Sequence, residues 1–440
     1  MAILTKAPRG TQDVLPAQSY KWREMERMFM ETAQLFGFRE IRFPVFEHTE
    51  LFNRSVGDTT DVVQKEMYTF EDKGGRSLTL RPEGTAGALR AVLENGLLNE
   101  ILPLKVSYLA NCFRYEKPQA GRLREFHQFG VEMLGAADPA SDAQMIALAR
   151  TLLDNLQLRR QVQLEINSIG CPECRAHYQQ ALHKYLSAHS DGLCDTCKQR
   201  LEKNPMRIFD CKNLECATIA GNAPTILEYL CKDCDDHFEE LQKHLKATKI
   251  NFCVNPKIVR GLDYYTRTVF EFVSSDIGAQ GTVCGGGRYD GLVELLGGPP
   301  TPAIGFAMGL ERLLMILEKR KRKSVFQAPK PCNLYIGSTG KLTQRRSEQL
   351  CMALRAVGLQ VESDTMGRSV KAQMKYANKL GAQFSCILGE EEIAKKLIEV
   401  RRMEDGKIFE VPLTDLAISR FLYCTHNWED GRQDRGGDED

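Results

Sequence analysis

Between Arg260 and Arg267 the chain reads R-G-L-D-Y-Y-T-R, placing two guanidinium groups and two phenols within one short span. A guanidinium forks onto anionic oxygens, and a phenol supplies an orientable hydrogen bond. The stretch therefore suits a phosphate bound beside a small polar ligand, and Gly261 lets backbone approach it. The following T-R-T-V-F-E-F-V is β-branched and aromatic, which predicts a strand with Tyr264 and Tyr265 on opposite faces. A buried strand with a capping arginine is the plainer alternative.

A second chemical cluster spans residues 105–135. Two predicted strands, 106–115 and 124–133, enclose a loop rich in Lys, Pro, Gln, Gly and Arg. Arg114 and Glu116 share one face at the end of the first. On the second, Arg124, Phe126, Gln128, Gly130 and Glu132 alternate on one face. That face is too polar for a core and too regular for a loop. It reads as a site floor, with a guanidinium for phosphate, a ring on which a base can stack, and an amide and carboxylate for a polar side chain. A solvated sheet face is the alternative. A third contribution comes from a predicted hairpin, M-Y-T-F-E-D and R-S-L-T-L-R-P-E around Lys73, Gly74 and Gly75. It delivers Arg81, Glu83 and Thr85 to the start of a helix over Thr85–Leu93. A carboxylate and hydroxyl there suit an ammonium group or an ordinary helix cap.

The elements that position these groups belong to a chain of 440 residues with a formal net charge of +1. That length predicts several domains, and the balance excludes a global basic field, so any nucleic-acid surface must be local. Trp22, Met25, Phe29, Thr32 and Phe36 recur at helical spacing, predicting a helix over 20–36 that Gly37 stops. R-E-I-R-F-P-V-F then reads as a strand whose Pro44 needs an edge or an interface. The N-terminus has no apolar signal core, and no run of ~18 apolar residues appears. With fifteen cysteines, the expectation is a cytoplasmic protein with reduced or metal-bound thiols and no membrane span.

Residues 168–250 are rich in helical patterning and cysteine: Cys171-x-x-Cys174, Cys194-x-x-Cys197, Cys211 with Cys216, and Cys231-x-x-Cys234. The first two pairs have the separation of a four-cysteine zinc site, and eight thiols suffice for two such sites. A small helical insertion has little core, so structural zinc would help it fold. Reduced side chains are the alternative. By contrast Cys112, Cys253, Cys332 and Cys386 stand singly, as small core residues do. Lys319–Lys323 with Pro329 and Pro331 mark a linker. Beyond it, N-L-Y-I-G, V-E-S-D and F-S-C-I-L-G alternate with helical stretches in a parallel α/β pattern. On a helix over Arg368–Leu380, Arg368, Lys371, Lys375 and Lys379 share one face, suited to RNA, while Val370, Met374 and Ala377 face the sheet. From Glu429 to Asp440 the chain is acidic and predicted to be disordered.

F-R-Y-E, a loop and R-L-R-E-F resemble motif 2 of the class II aminoacyl-tRNA synthetases. G-F-A-M-G-L-E-R-L (305–313) resembles their motif 3, and the helix–strand ending at Pro44 their motif 1. R-G-L-D-Y-Y with G-G-G-R-Y-D-G-L (285–292) resembles the two signatures of the histidyl branch. The likeness runs from R-G-T-Q-D-V-L-P (9–16) to about Leu422. It implies an α+β catalytic domain on a mainly antiparallel sheet (1–167 and 251–325), dimerised through motif 1. It also implies a helical insertion domain (168–250), an anticodon-binding α/β domain (330–424) and a disordered tail (425–440).

The implied reaction joins histidine to ATP, with Mg²⁺, as histidyl-adenylate and then passes histidine to its tRNA. In it Arg114 binds the α-phosphate and the carboxylate, and Arg260 reaches the α-phosphate as charge develops. Glu116, Arg122 and Arg312 serve the nucleotide, and Phe126 stacks on adenine. Glu83 and Thr85 take the α-ammonium group of histidine. Gln128, Glu132, Tyr264 and Tyr265 read the rest of that substrate. Gly285, Gly286 and Gly287 leave room for the ligand. Lys117, Gln119 and Arg122 in the motif 2 loop lie where the tRNA's 5′ end is expected, and Arg368, Lys371 and Lys375 where its anticodon is expected. A catalytically silent paralogue that regulates histidine biosynthesis is the rival, but such a paralogue is expected to lack these arginines and the C-terminal domain.

Overall fold

The computed structural model describes residues 5–57, 60, 62–203, 205–211, 213–258, 264–277, 281–320, 325–328 and 332–430. The chain divides into two compact units, Met1–Gln327 and Ala328–Asp440.

The first unit opens with helix α1 (Pro16–Leu35), started by a proline in its first turn, where no intrahelical partner is lost. Met25, Phe29 and Ala33 form its fully buried stripe. Strands β1 (Arg39–Glu40) and β2 (Phe46–His48) follow, then α2 (Thr49–Val56), β3 (Tyr68–Glu71), β4 (Ser77–Leu80) and α3 (Thr85–Glu94). The long pair β5 (Leu104–Phe113) and β6 (Glu125–Leu134) leads to α4 (Pro139–Asn155) and β7 (Gln163–Ser168). Four helices come next: α5 (Pro172–Ser187), α6 (Asp195–Lys203), α7 (Leu214–Gly221) and α8 (Lys232–Ala247). The chain returns through β8 (Cys253–Val254), β9 (Thr266–Val273), β10 (Thr282–Arg288), α9 (Leu292–Leu295), β11 (Ala303–Gly309) and α10 (Leu310–Lys319).

Among the described residues the main sheet has eight strands, in the order β1-β5-β6-β11-β10-β9-β7-β8. Only its outer pairs, β1 with β5 and β7 with β8, run parallel. Helices α1, α4, α8 and α10 bury one face, with Phe129, Val131, Phe270, Phe272 and Phe306 at the centre of that core. The other face, polar along β6, is left for the site. The apolar/polar alternation of β6 is thus a division between core and cavity. Arg288, fully buried at the end of β10, pairs with Asp142 of α4 at 2.6 Å. Asp142 also accepts from His237 of α8 at 2.8 Å, which ties that helix to the sheet. Burial pushes the Asp142 carboxyl up, but these two partners outweigh it and its pKa is lowered.

The expected strand over 39–46 breaks after Glu40. The cause is Arg81, whose Nη1 donates to the carbonyls of Phe43 (2.9 Å) and Pro44 (3.1 Å), taking acceptors a ladder would use. Arg81 is therefore a brace for this turn. Residues 46–48 instead join the hairpin in a small sheet, β2-β4-β3.

The second unit holds β12 (Leu334–Ser338), α11 (Lys341–Ala356), β13 (Val361–Ser363), α12 (Val370–Leu380), β14 (Phe384–Leu388), α13 (Glu390–Lys395), β15 (Leu397–Arg402), β16 (Ile408–Pro412) and α14 (Asp415–Asp430). The three strands read from sequence do run parallel. The sheet is mixed, however, because β15 and β16 add an antiparallel hairpin to β14. The start of the tail expected to be disordered, 425–430, lies in α14, and 431–440 fall outside the described residues. Lys319 closes α10, so the linker begins after it.

Candidate active site and cysteine clusters

A cavity of about 250 Å³ opens on the polar face of the main sheet. Of the residues singled out from sequence, Glu83, Thr85, Arg114, Glu116, Arg122, Phe126, Gln128, Tyr264, Tyr265 and Arg312 all line it. Arg260 lies outside the described residues.

One end is cationic. Arg114 is anchored by its Nε on the Pro82 carbonyl at 2.8 Å, with its guanidinium 5.4 Å from the Phe126 ring centre. Arg312 is anchored on the carbonyls of Gly121 (3.0 Å) and Thr282 (2.6 Å). Arg122 pairs with the buried Glu116. Burial, then the Arg122 and Arg114 charges, lower the Arg312 pKa. Such crowding of cations on fixed backbone acceptors prepares a place for a polyanion. Gln119 sits on the exposed loop between the strands, where its backbone bridges to Arg122.

The other end is built from buried hydroxyls and carboxylates. Glu83 accepts from the backbone N–H of Thr85 and Ala86, both at 2.8 Å, so it caps α3 while it lines the cavity. Burial raises its pKa despite those two bonds. Tyr264 precedes β9 outside the pleat. The opposite-face expectation fails there: its ring lies 4.7 Å from that of Tyr265, and both line the cavity. Glu132 is not part of the lining. It lies just beneath, accepting from Tyr108 at 2.9 Å and from Tyr289. Burial, only partly opposed by these hydroxyls, pushes its pKa up to about 8. Gly305 and Gly130 leave the volume for this group, since a Cβ at Gly305 would overlap Glu132 and one at Gly130 the Tyr108 ring.

Several sequence readings need correction. Arg124 leaves the floor: its guanidinium stacks 3.8 Å from the Tyr115 ring centre. Of the three glycines on β10, Gly285 lines the cavity. Gly286 and Gly287 serve sheet packing, because a Cβ on either would strike a neighbouring strand's carbonyl. Tyr289 was not singled out, although it lines the cavity and holds Glu132. Its signal was available in the Y of G-G-G-R-Y-D-G-L, the aromatic that leaves a glycine-rich strand. Glu311, on α10, also lines the cavity and accepts from the backbone N–H of His127 at 2.9 Å.

In the second unit, Lys371, Lys375 and Lys379 are exposed on α12 and Ala377 is buried. Arg368 leaves that face: it pairs with Asp364 at 2.8 Å and stacks 4.3 Å from the Tyr376 ring centre.

The cysteines of residues 168–250 form two groups of four. Cys171, Cys174, Cys231 and Cys234 make one, and Cys194, Cys197, Cys211 and Cys216 the other, each with its sulfurs within 4.8 Å of one another. The expected pairing of the first two motifs is overturned, because α5 and α8 bring the first motif to the last. Cys171 lies 3.5 Å from Cys174 and 4.0 Å from Cys231, and Cys194 lies 3.9 Å from Cys211. A tetrahedral ion with bonds of ~2.3 Å sets its sulfurs roughly 3.8 Å apart, so either group can hold a metal ion. Cys112, Cys332 and Cys386 are buried as expected, whereas Cys253 is exposed.

A family model described as histidyl-tRNA synthetase matches residues 10–313. The chain belongs to the histidyl-tRNA synthetase family. A second model, described as an anticodon binding domain, matches residues 334–418. The chain is similar to a histidine–tRNA ligase of Caldanaerobacter subterraneus, 53% identical over 416 residues, covering 94% of this chain and 99% of the relative. A histidine–tRNA ligase of Acetivibrio thermocellus is 53% identical over 418 residues, covering 95% and 99%. Among solved structures, the apo histidyl-tRNA synthetase of S. aureus superposes with a TM-score of 0.80 at 36% identity, over 95% of this chain and 100% of that one. No helix among the described residues is long and apolar enough to cross a membrane.

Proposed function

We propose that the cavity performs the reaction of its family, with its two ends dividing the substrates. The reaction is that of a histidine–tRNA ligase. A carboxylate oxygen of histidine attacks the α-phosphorus of ATP, the bond to the β-phosphate breaks, and pyrophosphate leaves. A terminal ribose hydroxyl of tRNA(His) then attacks the carbonyl carbon of the adenylate, and AMP leaves. No side-chain nucleophile is needed, so the protein contributes position and charge.

ATP enters as its Mg²⁺ complex. Arg122 and Arg312 hold its distal phosphates, Glu116 serves the nucleotide from its pairing with Arg122, Phe126 stacks on adenine, and Arg114 spans the α-phosphate and the histidine carboxylate. Arg260 meets the α-phosphate as its charge redistributes. Glu83 and Thr85 take the ammonium group, while Gln128, Tyr264, Tyr265 and Tyr289 face the imidazole. Glu132 works from beneath. Because it accepts the Tyr289 proton, that hydroxyl turns a lone pair to the cavity, ready to accept from an imidazole N–H. The observation that carries this reading is the convergence of ten sequence-selected side chains, with Gly285, on one cavity with a cationic and a hydroxyl end.

Gln119 with Lys117 meets the tRNA acceptor end, and Lys371 with Lys375 meets its anticodon arm. Arg368 supports that helix through Asp364. Each cysteine group takes one structural Zn²⁺. The chain works in the cytoplasm as a homodimer, and the exposed Phe46 and Phe70 of the small sheet, rings 6.4 Å apart, offer it an apolar contact. Histidine-dependent ATP–pyrophosphate exchange, followed by charging of tRNA(His), tests the reading. Exchange without histidine dependence would refute it.

A further inference from the structure

The two cysteine groups occupy different places relative to the cavity. Cys171 and Cys231 are the N-cap residues of α5 and α8, so the first group lies where two helix N-termini converge. Both termini present backbone N–H groups and the positive end of the helix dipole to the sulfurs, which favours thiolate ligands. The Cys231 N–H donates to Cys174 Sγ at 3.0 Å. Gly170, at φ 65°, permits the approach, since a Cβ there would lie 2.4 Å from that of Cys174.

This basal group is also bonded to the cavity wall. Arg175, one residue past Cys174, donates to the Tyr265 carbonyl at 3.0 Å. Gly170, one residue before Cys171, accepts from the Arg267 N–H at 2.9 Å, and Ile169 donates to the Arg267 carbonyl at 2.8 Å. Arg267 takes the left-handed φ of 51°, a conformation that a non-glycine residue holds only where its surroundings fix it. The chain that carries Tyr264 and Tyr265 is therefore gripped from both sides by residues flanking the basal cysteines. The distal group is placed otherwise. The Cys194 N–H donates to Cys216 Sγ at 3.2 Å, and Cys197 and Cys216 belong to the insertion's own core with Tyr178, Leu182 and Ile208.

We propose that the basal four-cysteine site, when it holds its metal, is a positioning site for histidine recognition, whereas the distal site only folds the insertion. Through Arg175 and the Gly170–Arg267 pairing, the metal at Cys171, Cys174, Cys231 and Cys234 fixes the backbone behind Tyr264 and Tyr265. Its loss loosens that wall and weakens histidine binding while the nucleotide end, anchored on β5, β6 and α10, is unchanged. The proposal rests on zinc in both groups and on Tyr264 and Tyr265 at the histidine end.

The test uses the full-length protein purified without added metal, with elemental analysis and pyrophosphate exchange on each variant. The wild type should carry about two zinc ions per chain, and Cys231→Ser/Cys234→Ser and Cys211→Ser/Cys216→Ser about one each. The basal variant should raise the KM for histidine about tenfold or more at an unchanged KM for ATP. The distal variant should change neither by more than about twofold. Arg175→Ala, which leaves all eight thiols, should keep both zinc ions and still raise the histidine KM, with Arg175→Lys restoring part of it. This variant decides the matter if the cysteine variants fail to fold. Equal effects of the two cysteine variants, or a normal histidine KM in Arg175→Ala, would overturn the positioning role and leave zinc standing. Wild-type protein without stoichiometric metal would overturn the zinc assignment and the proposal with it.

Discussion

The two ends of the cavity are built by opposite means. At the cationic end, charged groups are held by backbone carbonyls: Arg114 by Pro82, and Arg312 by Gly121 and Thr282. Arg122 is paired with Glu116, and the Arg122 and Arg114 charges, after burial, lower the Arg312 pKa. At the hydroxyl end the polar groups satisfy one another beforehand, as Glu132 is held by Tyr108 and Tyr289. On the proposed division, the first arrangement would give rate, because fixed charge would meet charge that develops in the reaction. The second would give selectivity, because a ligand that fails to match a preset hydroxyl leaves it unpaired.

The largest effects should come from the arginines. Arg312→Ala and Arg260→Ala should each lower the kcat of adenylate formation by ~10²–10³, with far smaller change in histidine affinity. Stopped-flow measurement of the adenylate burst checks this. A normal kcat with a raised KM would remove either residue from the reacting phosphates. Tyr289→Phe should do the reverse, raising the histidine KM about tenfold with kcat nearly intact. If ATP binding suffers equally, the two ends are not separate.

A smaller effect is expected in the second unit. Lys371→Gln with Lys375→Gln should weaken tRNA binding severalfold and reduce its salt slope by about two, leaving pyrophosphate exchange alone. An unchanged KM for tRNA would detach α12 from the RNA. The smallest effect concerns Glu132 in the ligand-free protein. Its value is raised from 4.5 to about 8, so the folded state binds the proton more tightly than the unfolded chain. Stability should thus decline as pH climbs between those values, and the loss should be complete above them. Glu132→Gln should show a smaller fall in melting temperature between about pH 5 and pH 9 than the wild type does. An identical fall in both proteins would mean that Glu132 is ionised throughout.

The sequence exposed the cationic end of the cavity more fully than the hydroxyl end, for a physical reason. Arginines and a stacking ring on alternating strand positions announce themselves one by one, and β5 and β6 fell within two residues of their expected bounds. Tyr108 and Tyr289, by contrast, are tied to the site through Glu132, a contact made by segments far apart in the chain, although Tyr289 also lines the cavity itself. The cysteine pairing was hidden in the same way. Local spacing favoured neighbours, but the helices that fold between the first and last motifs bring those two together. Arg124 and Arg368 carried the right charge on the right face, yet nearby aromatic rings captured them. The hairpin of β15 and β16 went unread because its strands are short and, in β15, half charged: Ile398 and Val400 are buried on β15 and Val411 on β16, alternating with exposed Glu399 and Glu410.

The division of labour is tested most directly by measuring the KM for ATP and for histidine side by side in Arg312→Ala and Tyr289→Phe. Arg312→Ala should impair use of ATP and leave the histidine KM within about twofold of wild type, and Tyr289→Phe should give the mirror image. If either variant shifts both constants together, the cavity works as a single unit and the two-ended account is wrong.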